Sequence, residues 1–280
     1  MKKILFILVV LCFGHVVNAQ HSEQYYLSII NTTNNKELKL AALDSLIQKN
    51  KNTNIPAFTN YSEQYINLAI ELKFYEQAIK KTIRSSFGFN VQLGQGGKAL
   101  ELLQKVEKFK DKTNNPFLLG SIYLKKGGVY FNGNDYHKAI KNYTLAIEAY
   151  SSNDSIFTAD AIFFRGKANF EIGAHISAID DFKLAAAYYQ NLKDTNYFFQ
   201  TQIGIVNIYD INGFHKKAIA ERKKIIRAKK ILKINQNLYL DYYNQGYSYK
   251  KLGNSGKQEE SLLKAMKLLL LDNDEENMLS

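Results

Sequence analysis

Apolar and aromatic side chains recur three or four residues apart along most of this chain, in stretches that short polar turns separate. This spacing places them on one side of an α-helix, so the pattern predicts a succession of amphipathic helices. Only 2 prolines accompany 19 tyrosines and 17 phenylalanines, which favours long helices packed through aromatic rings over a loop-rich β protein. With 46% hydrophobic and 22% charged residues, wholesale disorder and a multi-span membrane protein are excluded.

The helical stretches form a repeat with a period near 40 residues. One column of the repeat carries Gly127, Gly166, Val206 and Gly246, which are spaced by 39, 40 and 40 residues. Two further columns keep this register; they are Ala139, Ala178, Ala218 and Gln258, and the turn residues Asn134, Gly173, Gly213 and Gly253. The turn column falls between two apolar stretches, where a helix must stop. Each unit is therefore predicted to be a helix, a tight turn and a second helix.

Small and large side chains alternate within a unit for a steric reason. In the clearest copy, Gly127 and Ala139 should let two antiparallel helices approach closely. Aromatic rings are expected to fill the space beside these small residues, and they are Tyr130, Tyr136 and Tyr143. Two positions depart from the pattern, since Arg222 stands where an aromatic residue is expected and Gln258 where alanine is expected.

The columns of small and aromatic residues resemble the tetratricopeptide (TPR) repeat, whose unit is about 34 residues long. Forty residues upstream of Ala139 the register continues at Ala99, and another helix pair is predicted on either side of Pro56. The expected fold class is all-α, a right-handed α-solenoid of about six antiparallel helix pairs. The stretch from about residue 35 to 272 is similar to the extracytoplasmic TPR region of bacterial sensor kinases and helix-turn-helix regulators.

The predicted organisation has five segments. They are a signal peptide at 1–19, a lead-in at 20–34, degenerate TPR-like helix pairs at 35–112, four TPR repeats at 113–272, and an acidic stub at 273–280 that could begin a further repeat.

The first segment has the layout of an export signal. Lys2 and Lys3 form a positive region, residues 4–13 are apolar, and Val17-Asn18-Ala19 offers a small-residue cleavage site. The apolar stretch would rise only about 15 Å as a helix, which is too short to cross a bilayer. We expect cleavage before Gln20 and a periplasmic protein, or the extracytoplasmic part of a longer membrane-anchored one.

Residue types for catalysis or metal binding do not form a recognisable pattern. His137, His175 and His215 recur 38 and 40 residues apart, but units that stack about 10 Å apart are not expected to bring two imidazoles onto one metal ion. The glycine-rich stretch 94–97 lacks the spacing of a phosphate loop, and Cys12, the single cysteine, lies within the predicted signal. The sequence predicts no enzyme activity, no catalytic residue, no metal site and no cofactor.

The TPR resemblance implies a partner-binding groove, because TPR proteins receive extended peptides or partner helices on a concave surface lined by their first helices. The matching positions combine aromatic rings with amides and charges, which suits a peptide, since rings supply burial and amides bond its backbone. The implied groove residues are Leu124, Phe131, Asn132, Phe163, Lys167, Phe170, Glu171, Ile203, Asn207, Asp210, Ile211, Tyr243, Tyr247 and Lys250.

Positive charge is concentrated in one predicted helix. The formal net charge is +11, and residues 215–233 carry nine cations against Glu221 alone. The candidate basic patch consists of Lys216, Lys217, Arg222, Lys223, Lys224, Arg227, Lys229 and Lys230. Such a helix can be an ordinary solvated face, or it can bind an anionic membrane, an acidic partner or nucleic acid. The predicted export and the lack of aromatics among these cations argue against nucleic acid.

The leading hypothesis is a non-enzymatic, exported TPR scaffold that binds protein or peptide, as a sensor-input region or a periplasmic adaptor. Three alternatives stay open. They are an enzyme or transport-complex component that uses the solenoid as a substrate lid, a basic-surface binder of an anionic membrane or polymer, and a cytoplasmic nucleic-acid binder whose N-terminus only resembles a signal.

Overall fold

A computed structural model describes residues 22–113, 115–150 and 156–278, with side chains as far as residue 271. The predicted signal segment lies outside these residues. Within them the chain is helical and contains no β-strand. The α-helices are α1 (Glu23–Thr32), α2 (Lys36–Asn50), α3 (Ile55–Glu71), α4 (Tyr75–Phe87), α5 (Gly96–Glu107), α6 (Pro116–Asn132), α7 (Tyr136–Tyr150), α8 (Ile156–Glu171), α9 (His175–Asn191), α10 (Thr195–Ile211), α11 (His215–Ile231), α12 (Leu238–Lys251) and α13 (Ser255–Met278).

The chain divides into two compact units after Leu118, within the first turn of α6. In the first unit, α1 to α5 pack in chain order, and a π-helical turn at Gly88–Gln92 extends α4. Its core contains Leu46, Ile66 and Leu103, all fully buried. Lys81 is also buried there; its ammonium pairs with Asp44 and lies 4.5 Å from the centre of the Tyr65 ring.

The second unit contains four helix pairs, α6 with α7, α8 with α9, α10 with α11, and α12 with α13. The predicted turn column ends the first helix of each pair, because Asn134, Gly173, Gly213 and Gly253 have φ angles between 60° and 80°. This left-handed conformation favours glycine and is tolerated by asparagine. The next residue donates its N–H to the carbonyl five residues upstream, as in Phe214 to Tyr209 at 2.8 Å, which terminates the helix.

A left-handed residue also occurs in the first unit, where Gly94 has a φ of 64° and the N–H of Gln95 donates to the carbonyl of Phe89, six residues upstream, at 2.7 Å. The glycine-rich stretch that it belongs to therefore serves the helix turn before α5. Together with α2 and α3, the pair of α4 and α5 brings the described helices to six pairs after α1. The prediction of an all-α solenoid is confirmed.

The helices of a pair approach closely where an aromatic ring meets a glycine. A Cβ atom placed on Gly127 would lie 2.5 Å from Cε1 of Tyr143, and one on Gly120 would lie 2.5 Å from Cε1 of Tyr150. Both rings are 2% exposed. The predicted role of Gly127 and Ala139 is confirmed, since Ala139 is fully buried in the same cluster as Tyr143.

Two buried tyrosine hydroxyls in the second unit have polar partners. The hydroxyl of Tyr150 lies 2.9 Å from Oγ of Ser121, and the hydroxyl of Tyr189 donates to Oδ1 of Asp160 at 2.7 Å. Burial raises the pKa of Tyr150 to about 12, because the phenolate would lose its hydration. These rings therefore stay neutral and hold successive helices together through both packing and hydrogen bonds.

Substitution of Gly127 by alanine is expected to destabilise the protein by about 1–3 kcal/mol, because the new methyl group would overlap the Tyr143 ring. Gly128→Ala is the matched control, since a Cβ atom there meets no atom within 4 Å. Its expected effect is a gain of about 1 kcal/mol from helix propensity. Urea denaturation followed by circular dichroism measures both, and an equal shift for the two variants would contradict the packing argument.

Candidate binding surfaces

Most of the predicted groove positions fall on what we call the first-helix face, the exposed and partly exposed side chains of α6, α8, α10 and α12. Lys167 of α8 is its central cation, and its Nζ atom lies 5.4 Å from the ring centre of Phe131 and 5.8 Å from that of Phe164. Phe131 is partly exposed at the end of α6, beside the exposed Asn132. A cation held over aromatic rings links the first two pairs of the unit on this face.

Further along the first-helix face, α12 presents the most exposed rings. Tyr243 is 56% exposed and Tyr247 is 48% exposed. Lys250 beside them is exposed, and Nζ of Lys251 lies 5.3 Å from the ring centre of Tyr247. Exposed aromatic rings of this kind are enriched where proteins bind partners.

Five further predicted groove residues are partly or fully available to a partner. Glu171 is exposed, whereas Leu124, Phe170, Ile203 and Asn207 are partly buried against the core. The ring of Phe170 lies 6.0 Å from that of His175. These positions border the exposed rings.

Two predicted groove residues do not belong to an exposed surface. Phe163 is 4% exposed, because its ring packs against Phe182 and Tyr197 in the core between α8, α9 and α10. Asp210 is 8% exposed and serves a buried polar network. Assignment by position in the repeat fails at both places because the neighbouring pair covers them.

A row of exposed apolar side chains at the helix turns was not predicted, apart from Ile211, which is also an implied groove position. Ile176, Ile211 and Phe214 are 80%, 60% and 60% exposed, and Ile172 and Leu252 occupy the same turn in their own pairs. Successive turns are adjacent, since Nδ1 of His175 lies 3.1 Å from Oδ1 of Asn212. The sequence signal was an apolar residue beside each turn glycine. We call these five residues the apolar turn row.

The buried network around Asp210 joins three helices. Its carboxylate accepts a hydrogen bond from Nη2 of Arg222 at 2.8 Å and from Oγ of Ser248 at 2.7 Å, and Nδ1 of His215 lies 3.1 Å away. The Arg222 side chain is fully buried, and its Nε and Nη1 atoms have no partner among the described residues. The ion pair therefore links α10 to α11, and the Ser248 hydroxyl adds α12 to the network, without an aromatic ring.

A second buried ion pair follows on α11. Nζ of Lys229 donates to Oδ2 of Asp241 at 2.7 Å, and the two side chains are 4% and 2% exposed. Burial raises the pKa of Asp241, although Lys229 opposes this shift by favouring the charged carboxylate. Arg222 and Lys229 thus do not belong to the exposed basic patch, and the assignment of these two residues to it was wrong.

The reason for this pairing is visible in the repeat. Arg222 lies 40 residues after Phe182, and Lys229 lies 40 residues after Tyr189, so α11 carries cations at two positions where α9 carries buried rings. A charge in that position requires a partner, because an unpaired buried cation is costly. Asp210 and Asp241 supply those partners.

The other members of the basic patch are exposed on α11, and three of them line what we call the basic groove. This groove of about 450 Å³ lies between α11, α12 and α13 and is lined by Lys223, Ile226, Arg227, Lys230, Ile231, Tyr242, Gln245, Tyr249, Lys257, Glu260, Ser261 and Lys264. Lys216, Lys217 and Lys224 lie outside it, and Lys224 pairs with Glu221. The predicted basic patch therefore consists of two buried cations, three exposed cations outside the basic groove and three that line it.

A groove of about 470 Å³ in the first unit has a similar mixture of residues. It is lined by cations and aromatic rings from α2, α3 and α4, among them Lys51, Arg84, Phe58 and Phe87. Lys81 also lines it, but its ammonium is already paired with Asp44.

Residues whose pKa values are shifted by burial could take part in catalysis where they line a groove. Burial lowers the pKa of Lys125 and raises the pKa of Asp160, but neither residue lines the two grooves described above. Among the described residues, no group of three or more His, Cys, Asp or Glu could hold a metal ion. Within the same part of the chain, no helix has both the length and the apolar character needed to cross a membrane.

Comparison with known proteins identifies the fold. No family model matches the chain, and no curated protein matches it. Among solved structures, it is similar to TPR-like repeats of a putative kinesin light chain from Podosopora anserina, with a TM-score of 0.61 and 13% identity over 70% of this chain and 96% of that one. The apo form of RapI matches with a TM-score of 0.60 and 15% identity, over 88% and 90% of the two chains.

A third solved structure is a signal-transduction ATPase with a TPR sensor from Pyrococcus horikoshii. Its TM-score is 0.66 at 15% identity, and the match covers 86% of this chain but 38% of that longer protein. At this level of identity the likeness concerns the fold alone. The chain thus has the fold of TPR-like repeat proteins.

Removal of the buried guanidinium by Arg222→Met is expected to destabilise the protein by about 3–5 kcal/mol, because the Asp210 carboxylate would remain buried without its cation. In the double variant with Asp210→Asn, no unpaired charge remains. Its destabilisation should therefore be smaller than the sum of those of the two single variants. Urea denaturation of the four proteins measures this coupling, and strictly additive losses would contradict it.

Proposed function

We propose that this protein is a non-enzymatic scaffold that binds a polypeptide partner through the first-helix face and the adjoining apolar turn row. The observation that carries this proposal is the exposure of large apolar and aromatic side chains along both surfaces, notably Ile211, Phe214, Tyr243 and Tyr247. A contiguous exposed apolar surface rimmed by polar residues marks a binding site more often than a solvated face.

The chemistry of these surfaces suits a peptide. Rings such as Tyr247 can cover apolar side chains of the partner, while amides and charges on the helices of the same face, such as Asn132 and Glu171, can bond its backbone. The comparisons support this assignment at the level of the fold, since one similar structure is a Rap protein complexed with competence and sporulation factor, at 10% identity and a TM-score of 0.55.

The site of action in this proposal lies outside the cytoplasm, as a sensor-input region or a periplasmic adaptor. Its support is the sequence alone, through the positive, apolar and small-residue regions of residues 1–19. A membrane-anchored sensor and a free adaptor share this requirement for export. Both differ from the alternative of a cytoplasmic binder.

Loss of exposed rings should abolish peptide binding without unfolding the chain. Peptides selected from a random display library on the wild-type protein should bind Tyr243→Ala/Tyr247→Ala, and likewise Ile211→Ser/Phe214→Ser, at least about tenfold more weakly. The matched control is Leu184→Ala/Leu192→Ala, which removes similarly exposed apolar side chains from α9 and its C-terminal cap. Failure to select any peptide, or an equal loss in the control, would overturn the assignment.

Export can be tested by expressing the full chain in a Gram-negative host and sequencing the N-terminus of the protein from each cell fraction. The expected product begins at Gln20 and is found in the periplasmic fraction. Lys2→Glu/Lys3→Glu should slow its appearance there, because the positive region of the signal would be lost. A product that keeps Met1 and stays in the cytosol would contradict export.

A further inference from the structure

The basic groove is built from three helices that use the same spacing. Tyr242 and Tyr249 are seven residues apart on α12 and form the floor. Lysines seven residues apart stand on each side, and they are Lys223 and Lys230 on α11, and Lys257 and Lys264 on α13. Seven residues correspond to two helical turns, a rise of about 10.5 Å. The groove therefore has two equivalent levels, separated by that distance.

Each level consists of two lysines on either side of one tyrosine. The Nζ atoms of Lys223 and Lys257 lie 5.9 and 5.7 Å from the ring centre of Tyr249. At the other level, Lys230 and Lys264 lie 5.4 and 5.9 Å from the ring centre of Tyr242. Cation–π attraction holds the ammonium groups over the floor, where they can converge on a single anion.

The groove has a strong excess of positive charge. Arg227 adds a fifth cation to the four lysines, and Glu260 is the single carboxylate among its lining residues, a balance of +4. Glu260 already pairs with Lys264. Like charges on opposite walls repel one another, and an anion placed between them would relieve that repulsion.

A buried donor lies in the floor between the two levels. Gln245 follows Tyr242 by three residues and is 6% exposed, and its Nε2 atom has no hydrogen-bond partner among the described residues. Buried amide groups are normally hydrogen-bonded. An oxygen of an anionic group seated in the groove would accept this bond, so the donor points independently to the same kind of ligand as the lysines.

The shape of the groove selects among anionic partners. A flat bilayer could reach the tips of the lysines but not an amide in the recessed floor. The tyrosine faces are covered by ammonium groups, and both rings are 7% exposed, so nucleic acid bases could not stack on them. A polypeptide in the extended polyproline II conformation has three residues per turn and advances about 3.1 Å per residue, so acidic side chains three residues apart lie on one side and would reach both levels. The exposed Ile231 at the rim suits its aliphatic parts.

We propose that the basic groove binds an acidic polypeptide segment, with one carboxylate between the two lysines of each level and a further oxygen bonded to Gln245. This site uses α11, α12 and α13 and is separate from the first-helix face. Its validity does not depend on that of the first proposed surface.

Fluorescence anisotropy of a labelled oligoglutamate peptide tests the site in the full chain, with oligoglutamine as the uncharged probe. The wild-type protein should bind oligoglutamate and not oligoglutamine, and Lys223→Glu/Lys230→Glu should weaken binding at least about tenfold. The matched control Lys183→Glu/Lys216→Glu makes the same change in net charge at exposed lysines elsewhere on α9 and α11. It should stay within about twofold of the wild type.

The amide donor has its own test. Gln245→Met keeps the volume of the side chain and removes the donor, so it should weaken oligoglutamate binding about threefold or more while the melting temperature does not fall. Tyr243→Ala/Tyr247→Ala should bind oligoglutamate like the wild type, which distinguishes this site from the first-helix face.

Three results would overturn the proposal. They are no binding of oligoglutamate, equal losses in the groove and control charge reversals, and tighter binding of polyphosphate or of phosphatidylglycerol vesicles that depends on the same two lysines. The last result would assign the groove to a different class of anion.

Discussion

The contact between an aromatic ring on one helix and a glycine on the next determines how closely α6 and α7 can pack. Tyr143 over Gly127 and Tyr150 over Gly120 leave no room for a methyl group. Because a ring of this size buries a large apolar area, it stabilises the helix pair and at the same time defines its separation. The part of the first-helix face that α6 contributes, with Phe131 and Asn132, is positioned by this spacing.

In the third pair of the second unit, α10 and α11, buried ion pairs replace buried aromatic rings. Arg222 and Lys229 occupy the positions of the rings in α9, and Asp210 and Asp241 pair with them from the neighbouring first helices. Replacing a buried ion pair by apolar residues is often neutral or stabilising, so these pairs are weak evidence for stability. They do require a partner at a defined position on the next helix. The pairing of α11 with α12 is thereby specified.

Because two cations of α11 are buried, only its remaining cations are available to a partner. These cations face solvent, and Lys223 and Lys230 lie opposite the lysines of α13 across the tyrosine floor of the basic groove. The first-helix face and the apolar turn row, in contrast, expose mainly aromatic rings and apolar side chains. The two proposed binding sites thus favour partners of different chemistry, one mostly apolar and one acidic, on the same stack of helices.

Local pattern alone predicted the helices, the turns and the period, because helix spacing and left-handed turn residues such as Gly213 depend on neighbours a few residues away. The role of Gly127 beside a ring could also be predicted from the column of small residues. The burial of individual side chains could not be predicted in this way, because it depends on which side of a helix the next pair covers. Phe163 and Asp210 fall in the predicted groove column yet lie in the interior, and Arg222 and Lys229 look like surface cations. The basic groove likewise joins residues from three helices, up to 41 positions apart from Lys223 to Lys264, and only tertiary packing brings such residues around one space.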